Sequence, residues 1–258
     1  MPALISIAVP IYNTARFLPA ALNSLLAQDH ADWEALLWDD GSTDGSGAIA
    51  RDYVRRDARF RVFGNGCQNG NPYALANTLA QALGDFVCVL DSDDVLEPNA
   101  LSAMLQFMQE NPGLGMAYSQ HVEIQEAGDF LRLGTCFQTP YSPQRLLAEF
   151  MTYQFRLIRA HAYQAVGGYD ANVDESADYD LCLRLSEHCR VGYLPQPLYR
   201  YRMRRDSISH ASRLRQVRTS FDAAQRALQR RGLQGQYALS LGVRARHVLQ
   251  PKQPDTEA

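Results

Sequence analysis

Phe86-Val87-Cys88-Val89-Leu90-Asp91-Ser92-Asp93-Asp94 passes from five apolar residues directly into four polar ones, three of them acids. An unbroken apolar run of this length fits a strand, and its lack of alternation marks it as buried on both faces, as a central parallel strand is. The same juncture occurs twice upstream. Leu4-Ile5-Ser6-Ile7-Ala8-Val9 reads as a strand that Pro10 ends, because proline cannot donate to a central ladder, and Tyr12-Asn13 follows it. Glu34 to Trp38 reads as another strand and runs into Asp39-Asp40-Gly41-Ser42-Thr43-Asp44-Gly45. Helical patterns fill the intervals: apolar residues at 17, 18, 21, 22, 25 and 26, a helix around Ser46-Arg55, and a helix near 72–83 after a short strand at 60–63 and a Gly/Asn-rich loop at 64–71. Pro98 opens a further helix to about Gln109. Strands alternating with crossover helices specify an α/β fold with a mostly parallel central sheet flanked by helices. Ligands of such a sheet bind outside the carboxyl ends of its strands. Three polar clusters at one sheet edge therefore make one site.

The second half changes character. A strand at 114–119 leads into a hairpin and irregular loop over 121–143, and helical patterns return near 144–151, 159–166 and 177–188. Tyr193-Leu194-Pro195 and Pro197-Leu198-Tyr199-Arg200-Tyr201 read as strand endings or edges, since the prolines exclude a central position. Residues 211–248 read as two helices divided by Gly232 and Gly235, a helical C-terminal extension, and Pro251-Ala258 as a frayed tail.

Composition narrows the function classes. With 258 residues, 46% of them apolar, the chain builds a sizeable core and is not disordered. No run approaches the ~18 apolar residues of a membrane-spanning helix, and Met1-Pro2-Ala3-Leu4 lacks the charged start of a signal peptide. Five cysteines, at 67, 88, 136, 182 and 189, form no C-x-x-C pair, so neither a disulfide framework nor a zinc site is indicated and a reducing cytoplasm is expected. The net charge of -3 hides an asymmetry: residues 1–199 carry 24 of the 28 acids, whereas 200–252 carry 13 of the 25 basic side chains and only Asp206 and Asp222. Such a basic end, with leucines and valines between its arginines, suits an anionic membrane face, an anionic glycan or simple helix packing. Nucleic acid is excluded as a partner, because the rest of the chain is acidic and no groove-reading motif occurs.

Asp91 and Asp93 lie two apart, so in an extended segment both carboxylates face the same way. Two like charges held together call for a cation, and oxygen-only ligands suit Mg²⁺ or Mn²⁺. The alternative is a solvated acidic turn ahead of the Pro98 helix.

Ser6-Ile7-Ala8-Val9-Pro10-Ile11-Tyr12-Asn13, Trp38-Asp39-Asp40-Gly41-Ser42-Thr43-Asp44-Gly45 and Leu90-Asp91-Ser92-Asp93-Asp94, taken in order and spacing, resemble the motif set of glycosyltransferase family 2, inverting enzymes with the Rossmann-like GT-A fold. Gly167-Gly168-Tyr169-Asp170 followed by Asp178-Tyr179-Asp180-Leu181-Cys182-Leu183-Arg184 is similar to that family's acceptor-side segment. The resemblance implies that Pro10, Tyr12, Asp40, Asp91 and Ser92 bind the nucleotide, with Tyr12 stacked on the base. It implies that Asp91 and Asp93 hold Mn²⁺ or Mg²⁺, and that Asp178 is the catalytic base. Where the family has histidine near the end of the segment this chain has Arg204, which cannot ligate a metal but can pair with phosphate oxygens. His210 is the nearby histidine that would replace it. Residues 1–110 are then expected to form the nucleotide-sugar half, 111–210 the acceptor half, and 211–258 the basic extension. The implied activity is transfer of a sugar from a nucleotide diphosphate, with UDP expected, to a hydroxyl of a glycan or lipid-linked acceptor in cell-surface polysaccharide or glycoconjugate synthesis. The expected place is the cytoplasm, with peripheral contact at the inner face of the membrane. The alternative, motivated by Ala177 in place of the family's Glu and by Arg204, is a non-catalytic nucleotide-sugar-binding or assembly module.

Overall fold

Four short strands, each an apolar run, pair in parallel in the order β3-β2-β1-β4: β1 (Ile5–Ile11), β2 (Trp33–Asp39), β3 (Phe60–Phe63) and β4 (Phe86–Val89). Their crossovers contain α1 (Leu18–Leu26), α2 (Ser46–Arg56) and α3 (Asn71–Leu79). The computed structural model describes residues 3–134, 141–173, 176–204 and 213–242. Beyond β4 follow β5 (Val95–Leu96), α4 (Ala100–Glu110), β6 (Leu114–Ile124), β7 (Phe130–Leu133), α5 (Pro143–Leu146), β8 (Arg156–Arg159), α6 (Ala160–Ala165), α7 (Ala177–His188), β9 (Arg190–Arg202) and α8 (Arg213–Arg230). β8 runs antiparallel to β4 and carries the sheet on through β6, β9 and β5, with β7 folded back on β6. The parallel pairs are thus concentrated in the first half, joined by β6 with β9.

The sheet separates two apolar layers. Ile5, Ile7, Val9 and Ile11 alternate onto one face, with Leu18 and Leu22 of α1, Ala50 of α2 and Met104 of α4. Ala8 points the other way, with Leu75 of α3, Ala162 of α6, Leu181 of α7 and Ala223 of α8. β1 is buried on both faces because helices cover both, which is why its sequence shows no polar alternation. Trp33 and Trp38 belong to this packing, 2% and 8% exposed.

Several elements differ from the sequence reading, each for a local reason. β1 continues through Pro10, which pairs with Trp38. Ala8 accepts from the N–H of Leu90, so Ala8 and Pro10 both face β4. The β1–β4 ladder ends at Ala8, so no donor is wanted from Pro10. β9 is one 13-residue strand, not two broken edges. Its register against β6 slips between Leu194 and Pro197, and its other edge pairs with β5 only at Tyr199 and Arg200. Both prolines fall in the bulged, one-sided stretch. The helix expected over 144–151 is the single turn α5, capped by the Ser142 hydroxyl, after which Leu147 and Met151 enter the core from chain that is not helical. Over 231–242 the chain makes turns rather than a second helix: Tyr237 and Leu241 are exposed, and Leu233 and Leu239, which do pack on the core, are six residues apart and share no helical face; residues 243–248 lie outside the described residues.

Candidate active site

Because β2, β1 and β4 are parallel neighbours, their carboxyl ends lie on one edge, and the loops that follow are stitched together there. After β1, the backbone N–H groups of Asn13, Thr14 and Ala15 donate to Ser42 Oγ (3.1 Å), Ser46 Oγ (3.0 Å) and Asp44 Oδ2 (2.8 Å) of the loop after β2. Asn13 adopts a left-handed conformation (φ 50°), and its Oδ1 accepts from the N–H of Thr43 at 2.8 Å. Thr14 Oγ1 donates to Ser92 Oγ at 3.0 Å, tying the β1 loop to the one after β4. Pro10 and Tyr12 stand at this junction, with Tyr12 presenting its ring to solvent at 42% exposure.

Asp40 is buried, and its carboxylate accepts from the backbone N–H groups of Asn69 (2.9 Å) and Gly70 (2.8 Å). The Gly/Asn-rich loop is thereby drawn against the site just ahead of α3. Ser92 is buried in its bond with Thr14.

The acidic loop after β4 rests on β9. Tyr199 donates its hydroxyl to Asp94 Oδ2 (2.8 Å) and accepts from the N–H of Asp91 (3.2 Å), while the N–H of Arg202 donates to Asp94 Oδ1 (2.7 Å). Burial, reinforced by the charges of Asp93 and Asp91, pushes the Asp94 carboxyl well above the usual carboxylate range. Its role is inward: it anchors the loop beneath the half-buried Asp91 and Asp93.

Asp178, in the first turn of α7, approaches the same loop from the opposite side. Its Oδ2 accepts from Arg156 Nη2 at 2.5 Å and its Oδ1 from the Tyr169 hydroxyl at 2.9 Å. Arg156 also donates to Gln154 Oε1 (3.1 Å), and Gln154 Nε2 donates to Asp91 Oδ2 (3.2 Å). A continuous path thus joins Asp91 to Asp178. Burial, then the charges of Asp178 and Asp93, push the Asp91 carboxyl up to about 7. Burial and the charge of Asp178 hold the Tyr169 hydroxyl protonated, so it remains a donor.

The turn that aims Tyr169 depends on two glycines. Gly167 (φ 79°) and Gly168 (φ 66°) end α6 in left-handed conformations, and a Cβ on Gly168 would lie 2.7 Å from the Tyr163 ring. Tyr163 packs there and accepts from the N–H of Tyr169 with its hydroxyl at 3.0 Å.

Arg204 Nη1 donates to Asp93 Oδ2 at 2.9 Å, so a guanidinium already lies on this carboxylate. Asp91 and Asp93 remain an oxygen donor set of the kind Mg²⁺ or Mn²⁺ takes, since Mg²⁺ uses one or two carboxylates and completes its shell with water and phosphate. Among the described residues no group of three His, Cys, Asp or Glu forms a fuller cage. The cysteines at 67, 88, 182 and 189 are free. His210 lies outside the described residues.

Tyr12, Asp40, Asp91, Ser92, Asp93, Asp178 and Arg204 are therefore brought to one edge. Sequence reasoning missed Gln154 and the roles of Arg156, Tyr169 and Tyr199. One signal was available: Arg156 interrupts the apolar stretch Phe155 to Ile158, and an arginine 3% exposed requires a partner.

Comparison with known proteins gives the family and the fold. The profile of Glycosyl transferase family 2 matches residues 6–169. The chain is 32% identical over 228 residues, 87% of its length, to the O-antigen biosynthesis protein RfbC of Myxococcus xanthus, aligning with 18% of that protein. It spans about a fifth to a quarter of the length of RfbC and of four other curated relatives. Among solved structures, TarS (residues 1–349) of S. aureus in complex with UDP-GlcNAc superimposes with a TM-score of 0.69 at 20% identity, over 80% of this chain and 60% of that one. The mannosyltransferase PcManGT of Pyrobaculum calidifontis, in complex with GDP-Man and Mn²⁺, gives 0.64 at 15% identity, over 91% and 76%. At those identities the structural likeness shows a shared GT-A fold. The profile match spans most of the chain, and it takes in both the strand-end loops and the turn that aims Tyr169: the chain belongs to glycosyltransferase family 2.

Proposed function

We propose that this chain moves a sugar from a nucleotide diphosphate, UDP in the first instance, to a hydroxyl of a glycan or lipid-linked acceptor, with inversion, in the synthesis of a surface polysaccharide or glycoconjugate. The observation that carries this reading is the convergence of Asp178, from the far half of the chain, on the Asp91 to Asp93 loop through Gln154 and Arg156. Residues 1–110 then hold the donor, with Tyr12 against the base and Asp40 beside it, and residues 111–210 present the acceptor to Asp178. An acceptor hydroxyl bound at Asp178 gives its proton to the carboxylate as its oxygen attacks the anomeric carbon. The bond from that carbon to the diphosphate oxygen breaks on the opposite face, and its electron pair leaves on the diphosphate. Asp91 and Asp93 would hold a divalent cation, which would supply Lewis-acid stabilisation of that leaving charge. UDP as the nucleotide is supported by the UDP-GlcNAc named with TarS, and a divalent ion by the Mn²⁺ named with PcManGT. Polysaccharide synthesis is supported by the relation to RfbC. The chain works at the cytoplasmic face of the membrane, held there by its basic end.

The test is release of UDP from UDP-sugars in the presence of Mn²⁺, with and without acceptor glycans. Asp178→Asn is expected to lower the rate by roughly 10²-fold or more, the usual contribution of a general base, while UDP affinity stays within about threefold of the parent. If no UDP-sugar or GDP-sugar is turned over yet nucleotide binding survives, the chain is a nucleotide-sugar-binding module. That reading has its own observation in Arg204 lying on Asp93.

A further inference from the structure

Two half-buried acids of the site are already matched by cations. Asp178 pairs with Arg156, and Asp93 pairs with Arg204, whose side chain is only 12% exposed against 24% for Asp93. Three guanidiniums converge on one ring beside Asp93: Arg204 lies 4.8 Å from the Phe17 centroid, and Arg202 and Arg16 each lie 5.2 Å from it. They are not equivalent. Arg202 is fixed to the main chain, its Nε on the carbonyl of Asp93 at 2.6 Å and its Nη1 on that of Glu126 at 2.9 Å. Arg16 reaches outward to the Glu126 carboxylate. Arg204 alone among the three bonds a carboxylate that the donor reading places against a diphosphate.

A guanidinium binds phosphate and carboxylate with the same forked geometry, so Arg204 can exchange one anion for the other without losing a charged partner. The Phe17 face supports it during the exchange. We propose that Arg204 is the resident counter-cation of the diphosphate: it lies on Asp93 in the free chain and passes to the diphosphate when a nucleotide binds. Nucleotide binding here then proceeds without a divalent ion, and a divalent ion added to the free chain must displace Arg204 from Asp93. This rests on the donor reading above and sharpens it, because the ion's task shifts from nucleotide binding to the transfer step.

The experiment measures two affinities by calorimetry on the full chain: UDP in EDTA, and Mn²⁺ alone. The parent is expected to bind UDP in EDTA within about tenfold of its affinity with Mn²⁺. Arg204→Gln should weaken UDP binding in EDTA at least tenfold and, with the opposite sign, tighten Mn²⁺ binding at least threefold, since Asp93 is released. A merely structural arginine would weaken both. Asp93→Asn should abolish Mn²⁺ binding while sparing UDP in EDTA. Should Arg204→Gln not fold, Arg204→Lys decides the same question, because it keeps the charge but loses the fork, and UDP binding in EDTA should fall severalfold. A parent that needs Mn²⁺ for UDP by a hundredfold or more, or an Arg204→Gln variant that leaves UDP binding in EDTA unchanged or weakens Mn²⁺, overturns the proposal. A parent that binds neither UDP nor GDP even with Mn²⁺ overturns the donor reading itself, and the inference falls with it.

Discussion

Each oxygen of Asp178 already accepts one hydrogen bond, from Arg156 and from Tyr169, and a carboxylate has lone pairs left for an acceptor hydroxyl. Tyr169→Phe keeps the ring and removes one of these bonds. It should cost about 1–2 kcal/mol in urea unfolding and lower kcat about tenfold with little change in KM. Arg156→Gln leaves Asp178 facing Asp91 without its cation, and because that carboxylate keeps 31% of its surface in solvent the loss in urea unfolding should fall below the roughly 3–5 kcal/mol of a fully buried pair. His121 gives a pH-dependent test. It is 2% exposed, stacked on Tyr153, and burial lowers its pKa below 6.5. The folded chain therefore prefers the neutral ring, while the unfolded chain takes up a proton once pH falls below about 6.5. Stability is complete above that pH, declines as pH drops beneath it, and stops declining once the folded ring is itself protonated. Asp91, whose folded carboxyl is pushed up to about 7, contributes the opposite slope over the same range, so the test is the difference in unfolding free energy between the parent and His121→Gln from about pH 7.5 to 5, which should show this acid-side decline. At this scale the sequence revealed the residues on loops after strands, because three polar clusters at the carboxyl ends of parallel strands fall on the one edge where such a sheet binds ligands. Gln154 and Tyr199 were hidden, since their partner Asp91 lies 63 and 108 residues away and neither residue type signals such a contact.

At the scale of elements, periodicity identified the first-half strands and helices because they are buried in regular patterns. It failed where pairing is irregular, as in β9 with its bulge, and where apolar residues are buried without a helix, as at Leu147 and Met151. The loop over 64–71 illustrates what pattern alone does not convey. Its glycines and asparagines mark a turn, but its position is set by Asp40, which holds the N–H groups of Asn69 and Gly70. Asp40→Ala removes both acceptors at once. The amides of Asn69 and Gly70 should then exchange with solvent at least tenfold faster, while the β1 amides keep their protection. If Asp40 also reads the base, UDP affinity falls in the same variant. Unchanged exchange at 69 and 70 would mean that the loop is held by something other than this carboxylate.

For the whole molecule, the split between an acidic body and a basic end takes on a different meaning once α8 is in place. Ala223, Ala224, Ala227 and Leu228 are buried in the layer formed with α7, so α8 is part of the core. Three of its neighbouring cations are turned to the body: Arg226 lies 3.6 Å from Asp180, and Arg230 and Arg231 both pair with Glu187. Part of the basic end therefore neutralises part of the acidic body. No helix among the described residues is long and apolar enough to cross a membrane. Among the described residues, the surface suited to the membrane contact proposed above is the first turns of α8, where Leu214 (86% exposed) and Val217 (38%) alternate with Arg215 and Arg218. Truncating the chain before α8 is a poor test, because it uncovers the apolar layer and destabilises the fold. Charge reversal is the cleaner one. Each arginine near an anionic surface contributes about 1 kcal/mol, so Arg215→Glu with Arg218→Glu should weaken binding to phosphatidylglycerol vesicles at least tenfold at low salt, with circular dichroism as the check that the chain stays folded. Equal binding by parent and double variant, or equal binding to neutral vesicles, would place α8 among the helices that only pack.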